Sequence, residues 1–179
     1  FLNKPVSASN LFDTIMDVFG QKDTQSFSST MQKDEITQSL ESIRGARILL
    51  VEDNDINQQL AQELLEGAGL NVTVANNGLE ALKEIEKMEF EAVLMDIQMP
   101  VMDGYQASRE IRLKRRFKTL PIIAMTAHAL AGDREKCLEA GMNDHVSKPI
   151  SPDLLFTALL KWIEPGKRNF TPLSTTENK

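Results

Sequence analysis

The chain has 179 residues, of which 41% are hydrophobic and 26% are charged, and its formal net charge is −6 at pH 7. These values are typical of a globular protein, and the acidic balance argues against a nucleic-acid-binding surface spread over the whole molecule. No apolar run is long enough to cross a bilayer, and the single cysteine excludes an internal disulfide and fits a reducing compartment.

The first twenty residues repeat a phrase found near the other end of the chain. FLNKPVSASNLFDTIMDVFG aligns without a gap with HVSKPISPDLLFTALLKWIE, so that Lys4-Pro5 falls on Lys148-Pro149. We interpret residues 1–20 as the last strand and helix of a preceding domain of the same type. The apolar stripe of that helix predicts that it docks or forms a homodimer, because its exposure to water is unfavourable.

Polar segments flank the central part of the chain. Residues 21–45 are rich in Gln, Ser, Thr and charged residues, and we interpret them as a linker whose second half has the apolar spacing of a short helix. Residues 165–179 contain two prolines and many polar residues, which predicts a loose tail. The segment between them, 46–164, is expected to form one domain.

Residues 46–164 alternate between short apolar segments and helical patterns. Five strands are predicted, in ARILLVED, NVTVA, EAVLMD, LPIIAMT and HVSK, and each is followed by residues with the helical period. The third helix is expected to run from Asp103-Gly104 to about Arg116. Central strands that are apolar throughout indicate a parallel sheet with helices on both faces, so we expect a doubly wound α/β fold with five strands and five helices.

The predicted strands end in residues that carry chemistry. Glu52 and Asp53 end the first strand, Asp96 the third, Thr126 the fourth and Lys148 the fifth. All carboxyl ends of an open parallel sheet lie along one edge, and ligands bind there where the strand order reverses. The sequence therefore predicts three carboxylates, a hydroxyl and an ammonium in one small region.

This set of groups favours a particular chemistry. Three crowded carboxylates repel one another unless a cation compensates them, and a site made of oxygens with few protein ligands suits Mg²⁺. A metal, a lysine and a hydroxyl around one carboxylate can stabilise a transferring phosphoryl group. We therefore expect Asp96 to form an aspartyl phosphate, with Asp53 as a direct Mg²⁺ ligand and Glu52 as a ligand through water.

Four segments at the predicted strand ends carry a family resemblance: VEDN at 51–54, MDIQMPVMDG at 95–104, MTA at 125–127 and SKPI at 147–150. In this order and spacing they resemble the receiver domain of two-component signalling, over roughly the whole predicted domain. The resemblance implies a flavodoxin-like fold with the strand order 2-1-3-4-5. It also makes residues 1–20 the tail of a second receiver-like domain.

The resemblance implies a role for each polar residue of the predicted site. Asp96 would accept a phosphoryl group from phosphohistidine, Thr126 would move to hydrogen-bond that group, and Lys148 would contact a phosphate oxygen. The implied Mg²⁺ ligands are the carboxylates of Glu52, Asp53 and Asp96 and the backbone carbonyl of Gln98.

Two further positions near the lysine belong to the same resemblance. The peptide bond between Lys148 and Pro149 is commonly cis in receiver domains, which gives Pro149 a structural role. Many receivers place Tyr or Phe three residues before the lysine, and that ring swings inward when the threonine engages phosphate. This chain has His145 at that position, so a switch through it would have to move an imidazole.

Three features indicate a receiver from the C-terminal part of a hybrid sensor histidine kinase: VEDNDIN with Asn54 and Asn57, the receiver-like fragment upstream, and no DNA-binding pattern downstream. The implied partners are a phosphohistidine donor domain and a histidine phosphotransfer domain, without nucleic acid or membrane contact by this part of the chain. It would catalyse only its own phosphorylation and dephosphorylation, in the cytoplasm, within a histidine kinase that could be membrane-anchored.

Three alternatives stay open on the sequence. A stand-alone single-domain regulator would bind a partner when phosphorylated. A Mg²⁺-dependent phosphatase with an aspartyl intermediate would commonly need an acid two residues after the nucleophile, where this chain has Gln98. A flavin-binding protein of similar topology would need a phosphate-cradling loop after the first strand, and EDNDIN at that place would repel a phosphate unless a metal intervened.

Overall fold

The structure, a computed structural model, describes residues 36, 39–127 and 131–166. Its strands are β1 (Arg47–Val51), β2 (Asn71–Ala75), β3 (Ala92–Asp96), β4 (Ile122–Thr126) and β5 (Asp144–Ser147). They form one sheet in the order β2-β1-β3-β4-β5, and every neighbouring pair runs parallel. The predicted doubly wound parallel sheet and the strand order implied by the resemblance are both confirmed.

An α-helix follows each strand within the described residues: α1 (Asp55–Gly67), α2 (Gly78–Lys87), α3 (Gly104–Leu113), α4 (Ala131–Glu139) and α5 (Pro152–Trp162). Side chains cap the first three helices: each accepts hydrogen bonds from backbone N–H groups that have no partner within the first helical turn. These caps are Asn54, Asn77 and Asp103. The third helix ends before the predicted Arg116, because Lys114 takes an extended backbone conformation and a 3₁₀-helix, Arg115–Phe117, follows it.

Apolar layers cover both faces of the sheet. All residues of β3 and β4 are buried, as expected for central strands that helices cover on both sides. Val93 and Met95 of β3 pack with residues of α2 and α3, whereas Leu94 packs on the other face with residues of α1 and α5. The polar strand ends are therefore left at the edge of the sheet, between these two layers.

The core also extends beyond the N-terminal end of β1. Ile43 is fully buried and packs with residues of α1 and α5, so the end of the predicted linker contributes to the domain core. Residues 1–20, the first part of the linker and the tail beyond 166 lie outside the described residues, and the predicted boundaries stay predictions. In the described part of the chain, no helix combines the length and apolar character that a membrane span requires.

Candidate functional site

One cleft at the carboxyl edge of the sheet brings the predicted site residues together. Glu52 and Asp53 line it after β1, Asp96 at the end of β3, Thr126 at the end of β4 and Lys148 after β5. Further described residues in its lining include Asn57, Gln98, Tyr105, Ala127 and Lys136. The parallel topology therefore converts positions that are far apart in the chain into a single site.

Lys148 binds two of the carboxylates. Its Nζ lies 2.6 Å from Glu52 Oε2 and 2.7 Å from Asp96 Oδ2. The side chains of Glu52 and Asp96 are only 2% and 7% exposed, and that of Lys148 is 19% exposed. Because little water reaches these contacts, they are stronger than those of a surface ion pair. One ammonium nonetheless faces two carboxylates, so the trio keeps a net negative charge.

Burial and charge together set the protonation of these groups. Burial raises the pKa of Asp96 above its ordinary value, and the charge of Glu52 adds to the rise, whereas the hydrogen bond from Lys148 acts against it. Burial alone would lower the pKa of Lys148, but its hydrogen bonds and attraction to Asp96 and Glu52 outweigh burial and raise that pKa. Lys148 therefore stays charged, and the ionised form of Asp96 carries a free-energy cost that a further cation would relieve.

The three carboxylates form a donor set that fits a hard divalent cation. One oxygen each from Glu52, Asp53 and Asp96 lies within 4.8 Å of the other two. Glu52 and Asp96 are buried, whereas Asp53 is exposed, so the set is open to water on one side. Mg²⁺ is bound in proteins by one or two carboxylates together with several retained waters. The residues present therefore suit Mg²⁺ in charge and in ligand type.

The loop between β3 and α3 positions Asp96 through the backbone. Gln98 N donates to Asp96 Oδ1 over 3.3 Å, and Gly104 N donates to the carbonyl oxygen of Ile97 over 3.0 Å. A Cβ on Gly104 would overlap the carbonyl oxygen of Asp96, so only glycine lets α3 begin this close to β3. In the same loop Val101 has a φ of 69°, a left-handed conformation that is rare for a β-branched residue.

Side-chain amides hold Glu52 in place. Asn57 Nδ2 donates to Glu52 Oε1 over 3.0 Å. Gln58 Nε2 donates to the backbone carbonyl of Glu52 over 2.6 Å and to Asn76 Oδ1 over 2.8 Å. Asn57 belongs to the VEDNDIN motif, but the sequence did not indicate this contact. Gln58 and Asn76 carried no sequence signal, because they meet only when β1 and β2 are neighbours.

Thr126, Pro149 and His145 have different surroundings. Thr126 lines the cleft, and its carbonyl oxygen accepts a hydrogen bond from Lys148 N over 2.7 Å, which joins the ends of β4 and β5. The Lys148–Pro149 peptide bond is cis, as the resemblance implies. His145 pairs with Ala124 in the sheet and is not among the described residues that line the cleft. Its role as a switch stays a prediction.

Comparisons of the sequence with known proteins agree with this geometry. The sequence model of the response regulator receiver domain matches residues 48–160. The sensor protein GacS of Pseudomonas syringae pv. syringae is 42% identical over 134 residues, which cover 73% of this chain and 15% of that protein. The chain therefore spans a small part of the length of this curated relative.

Solved structures show the same similarity. The crystal structure of the receiver domain of sensor histidine kinase PA1611 from Pseudomonas aeruginosa PAO1, with a magnesium ion coordinated in its active-site cleft, is 47% identical with a TM-score of 0.62. The match covers 66% of this chain and 97% of that one. The co-crystal structure of the Saccharomyces cerevisiae histidine phosphotransfer protein Ypd1 and the receiver domain of Ssk1 matches at 29% identity and a TM-score of 0.63, over 66% of this chain and 89% of that one.

Proposed function

This chain belongs to the response regulator receiver domain family, and on that premise we propose that it accepts a phosphoryl group from phosphohistidine on Asp96. The observation that carries the proposal is the setting of Asp96, a buried carboxylate that Lys148 contacts and that two further carboxylates adjoin. Because β3 lies between β1 and β4, the ends of three neighbouring strands surround any group bound to Asp96.

In the proposed reaction an oxygen of Asp96 forms a bond to phosphorus while the P–N bond of phosphohistidine breaks. The ring nitrogen that bears no phosphorus carries a proton before the transfer, so the electron pair of the broken bond returns to the other nitrogen and the imidazole leaves as a neutral ring. Lys148 Nζ, 2.7 Å from Asp96 Oδ2, would neutralise one phosphoryl oxygen, and the Thr126 hydroxyl would donate to another. Mg²⁺, when bound, would supply further positive charge. Its proposed ligands are Glu52, Asp53, Asp96 and the backbone carbonyl of Gln98.

The proposed setting is a phosphorelay within a hybrid sensor histidine kinase, with this domain in the cytoplasm. GacS is a sensor protein and PA1611 is a sensor histidine kinase, and each is more than 40% identical to this chain over the matched residues. The structure of Ypd1 with Ssk1 joins a histidine phosphotransfer protein to a receiver domain. By analogy, a kinase phosphohistidine domain would donate the phosphoryl group and a histidine phosphotransfer domain would receive it.

Phosphorylation is proposed to switch the interactions of this domain by shifting a pre-existing equilibrium. Thr126 would move toward the phosphoryl group, and His145 on the adjacent strand would follow it. The homodimer predicted through residues 1–20 is a separate proposal, and the molecular mass of the whole chain in solution tests it. A monomer at every concentration would exclude that dimer.

The mass of the intact chain after incubation with acetyl phosphate tests the phosphoryl acceptor. The wild type is expected to gain one phosphoryl group with Mg²⁺ and none with EDTA, whereas Asp96→Asn is expected to gain none in either condition. Asp153→Asn makes the same change at an exposed carboxylate in α5 and should behave as the wild type. A wild type that neither gains a phosphoryl group nor binds beryllofluoride with Mg²⁺ would contradict the proposal.

A further inference from the structure

Lys136 lies at the cleft without belonging to any of the predicted motifs. It comes from the second turn of α4 and lines the cleft together with Asp96, Thr126 and Lys148. Lys136 is exposed, and its long flexible stem lets its ammonium follow a charge that appears in the cleft. The proposed function assigns no role to this residue.

The charge of the cleft argues for a second cationic side chain. Lys148 and bound Mg²⁺ would together balance the carboxylates of Glu52, Asp53 and Asp96, but a phosphoryl group on Asp96 adds negative charge beyond that balance. Lys148 Nζ already donates to both Glu52 and Asp96. An ammonium on the α4 side of the cleft would offset the added charge without displacing Lys148 from these contacts.

We propose that Lys136 is a second cationic side chain of this cleft, beside Lys148, and that it stabilises the phosphoryl group on Asp96 by charge attraction. The inference rests on the proposed function and extends it to a residue that acts on the phosphorylated form. A cation at this place attracts an anion that enters the cleft and repels a divalent cation. Its removal should therefore weaken anion binding and strengthen Mg²⁺ binding, whereas a distorted cleft would bind both ligands less well.

Calorimetric titration of the whole chain tests this with Lys136→Gln, which removes the charge and keeps most of the side-chain length. At low salt we expect Mg²⁺ alone to bind roughly threefold more tightly to the variant than to the wild type. At saturating Mg²⁺ we expect beryllofluoride, which mimics a phosphoryl group on a carboxylate, to bind roughly three- to tenfold more weakly. Both differences should shrink as ionic strength rises, because the Lys136 side chain is exposed.

Two further variants control for charge and for position on the helix. Lys136→Arg keeps the charge and should bind both ligands as the wild type does. Arg134→Gln removes a charge from an exposed position on the same helix, outside the described lining of the cleft, and should leave both affinities nearly unchanged.

The outcomes separate this inference from the function on which it rests. Equal affinities in Lys136→Gln and wild type would overturn the role of Lys136 and leave phosphoryl acceptance by Asp96 intact. Weaker binding of both ligands by Lys136→Gln would also overturn it, because that result indicates a structural role. A wild type that binds no beryllofluoride would remove the proposed function and this inference together.

Discussion

At the carboxyl edge of the sheet, where the strands end, Asp96 lies beside two other carboxylates and one lysine. At the amino edge, where the strands begin, Arg112 lies among neutral acceptors. Arg112 donates from Nε to the carbonyl of Gly141 over 2.7 Å and from its two terminal nitrogens to the carbonyl of Phe117 over 2.8 Å and Asn143 Oδ1 over 2.7 Å. Burial lowers the pKa of Arg112, but the ordinary value of a guanidinium is so high that the group stays charged.

The two edges show that the partners of a partly buried charge decide whether that charge stabilises the fold or favours the binding of a ligand. At the amino edge, fixed dipoles satisfy the guanidinium, and the network joins α3 to the loop that precedes β5. At the carboxyl edge, carboxylates outnumber the cation, so the folded state carries a cost that a ligand can relieve. We therefore expect substitutions at the amino edge to change stability alone and substitutions at the carboxyl edge to change ligand binding as well.

The largest expected effect lies at the backbone of the carboxyl edge. Gly104→Ala would place a methyl group against the carbonyl oxygen of Asp96, so the start of α3 would have to move. We expect the free energy of unfolding, measured by urea denaturation, to fall by about 4 kcal/mol, together with a loss of Mg²⁺-dependent phosphorylation. Gly67→Ala is the matched control, because nothing lies within 4 Å of the added methyl group. Its free energy of unfolding should rise by about 0.5 kcal/mol. Equal stability of the two variants would disprove the close approach.

Arg112→Met tests the amino edge. It keeps an aliphatic side chain but removes one hydrogen bond from each of three buried or partly buried acceptors. We expect the free energy of unfolding to fall by about 3 kcal/mol and the Mg²⁺ affinity of the folded chain to stay unchanged. Arg109→Met changes an exposed position of the same helix, and its free energy of unfolding should stay within about 0.5 kcal/mol of the wild-type value. A parallel loss of Mg²⁺ affinity in Arg112→Met would show that the two edges are coupled.

Mg²⁺ itself should stabilise the chain through the carboxyl edge alone. At a free concentration a hundredfold above Kd, binding to the folded state raises the free energy of unfolding by about 2.7 kcal/mol. Asp53→Asn removes one of the three carboxylates and should lose most of this gain in a thermal unfolding titration with MgCl₂. Asp55→Asn, in the first turn of α1, is the control and should keep the gain. The same gain in both variants would exclude Asp53 as a ligand.

The smallest expected effect is the pH dependence of stability, to which Asp96 at the carboxyl edge and Asp144 at the amino edge contribute with opposite signs. Burial raises the pKa of Asp96 above its ordinary 3.8, so its favourable contribution to stability is present below that value and is lost as pH rises through the raised pKa. Burial alone would raise the pKa of Asp144 in β5, but hydrogen bonds from Lys161 and Trp162 outweigh burial and lower it. The contribution of Asp144 is therefore present above 3.8 and is lost as pH falls through the lowered pKa.

Urea denaturation in EDTA between about pH 4 and pH 7 measures this difference. At the upper end of that range, Asp96→Asn should be about 1 kcal/mol more stable than the wild type, and Asp144→Asn about 1 kcal/mol less stable. The Asp96 difference should diminish toward the lower end of the range, where this carboxyl group becomes protonated in the folded chain, whereas the Asp144 difference should largely persist, because the pKa of Asp144 lies below its ordinary 3.8. Changes of the same sign near pH 7 would contradict the contrast between the edges.

The sequence by itself determined the alternation of strands and helices and the residues at the strand ends. The runs ILLV of β1 and AVLM of β3 are apolar throughout, and their burial is a local property of each segment. A parallel sheet aligns all carboxyl ends, so Asp96, Thr126 and Lys148 could be assigned to one cleft without knowledge of the strand order. The strand order itself came from the family resemblance, because the hydrophobic periodicity of the sequence would be the same for every order of strands in the sheet.

Only the tertiary structure decided the contacts between residues whose local sequences carry no signal for each other. Lys136 reaches the cleft because of the rotation of α4 on the sheet, and Gln58 meets Asn76 because β1 and β2 are neighbours. Arg112 finds its acceptors in the 3₁₀-helix that follows α3 and in the loop before β5. Helix rotation and loop paths are set by the packing of all elements at once, since each helix must fill the surface that the others leave open.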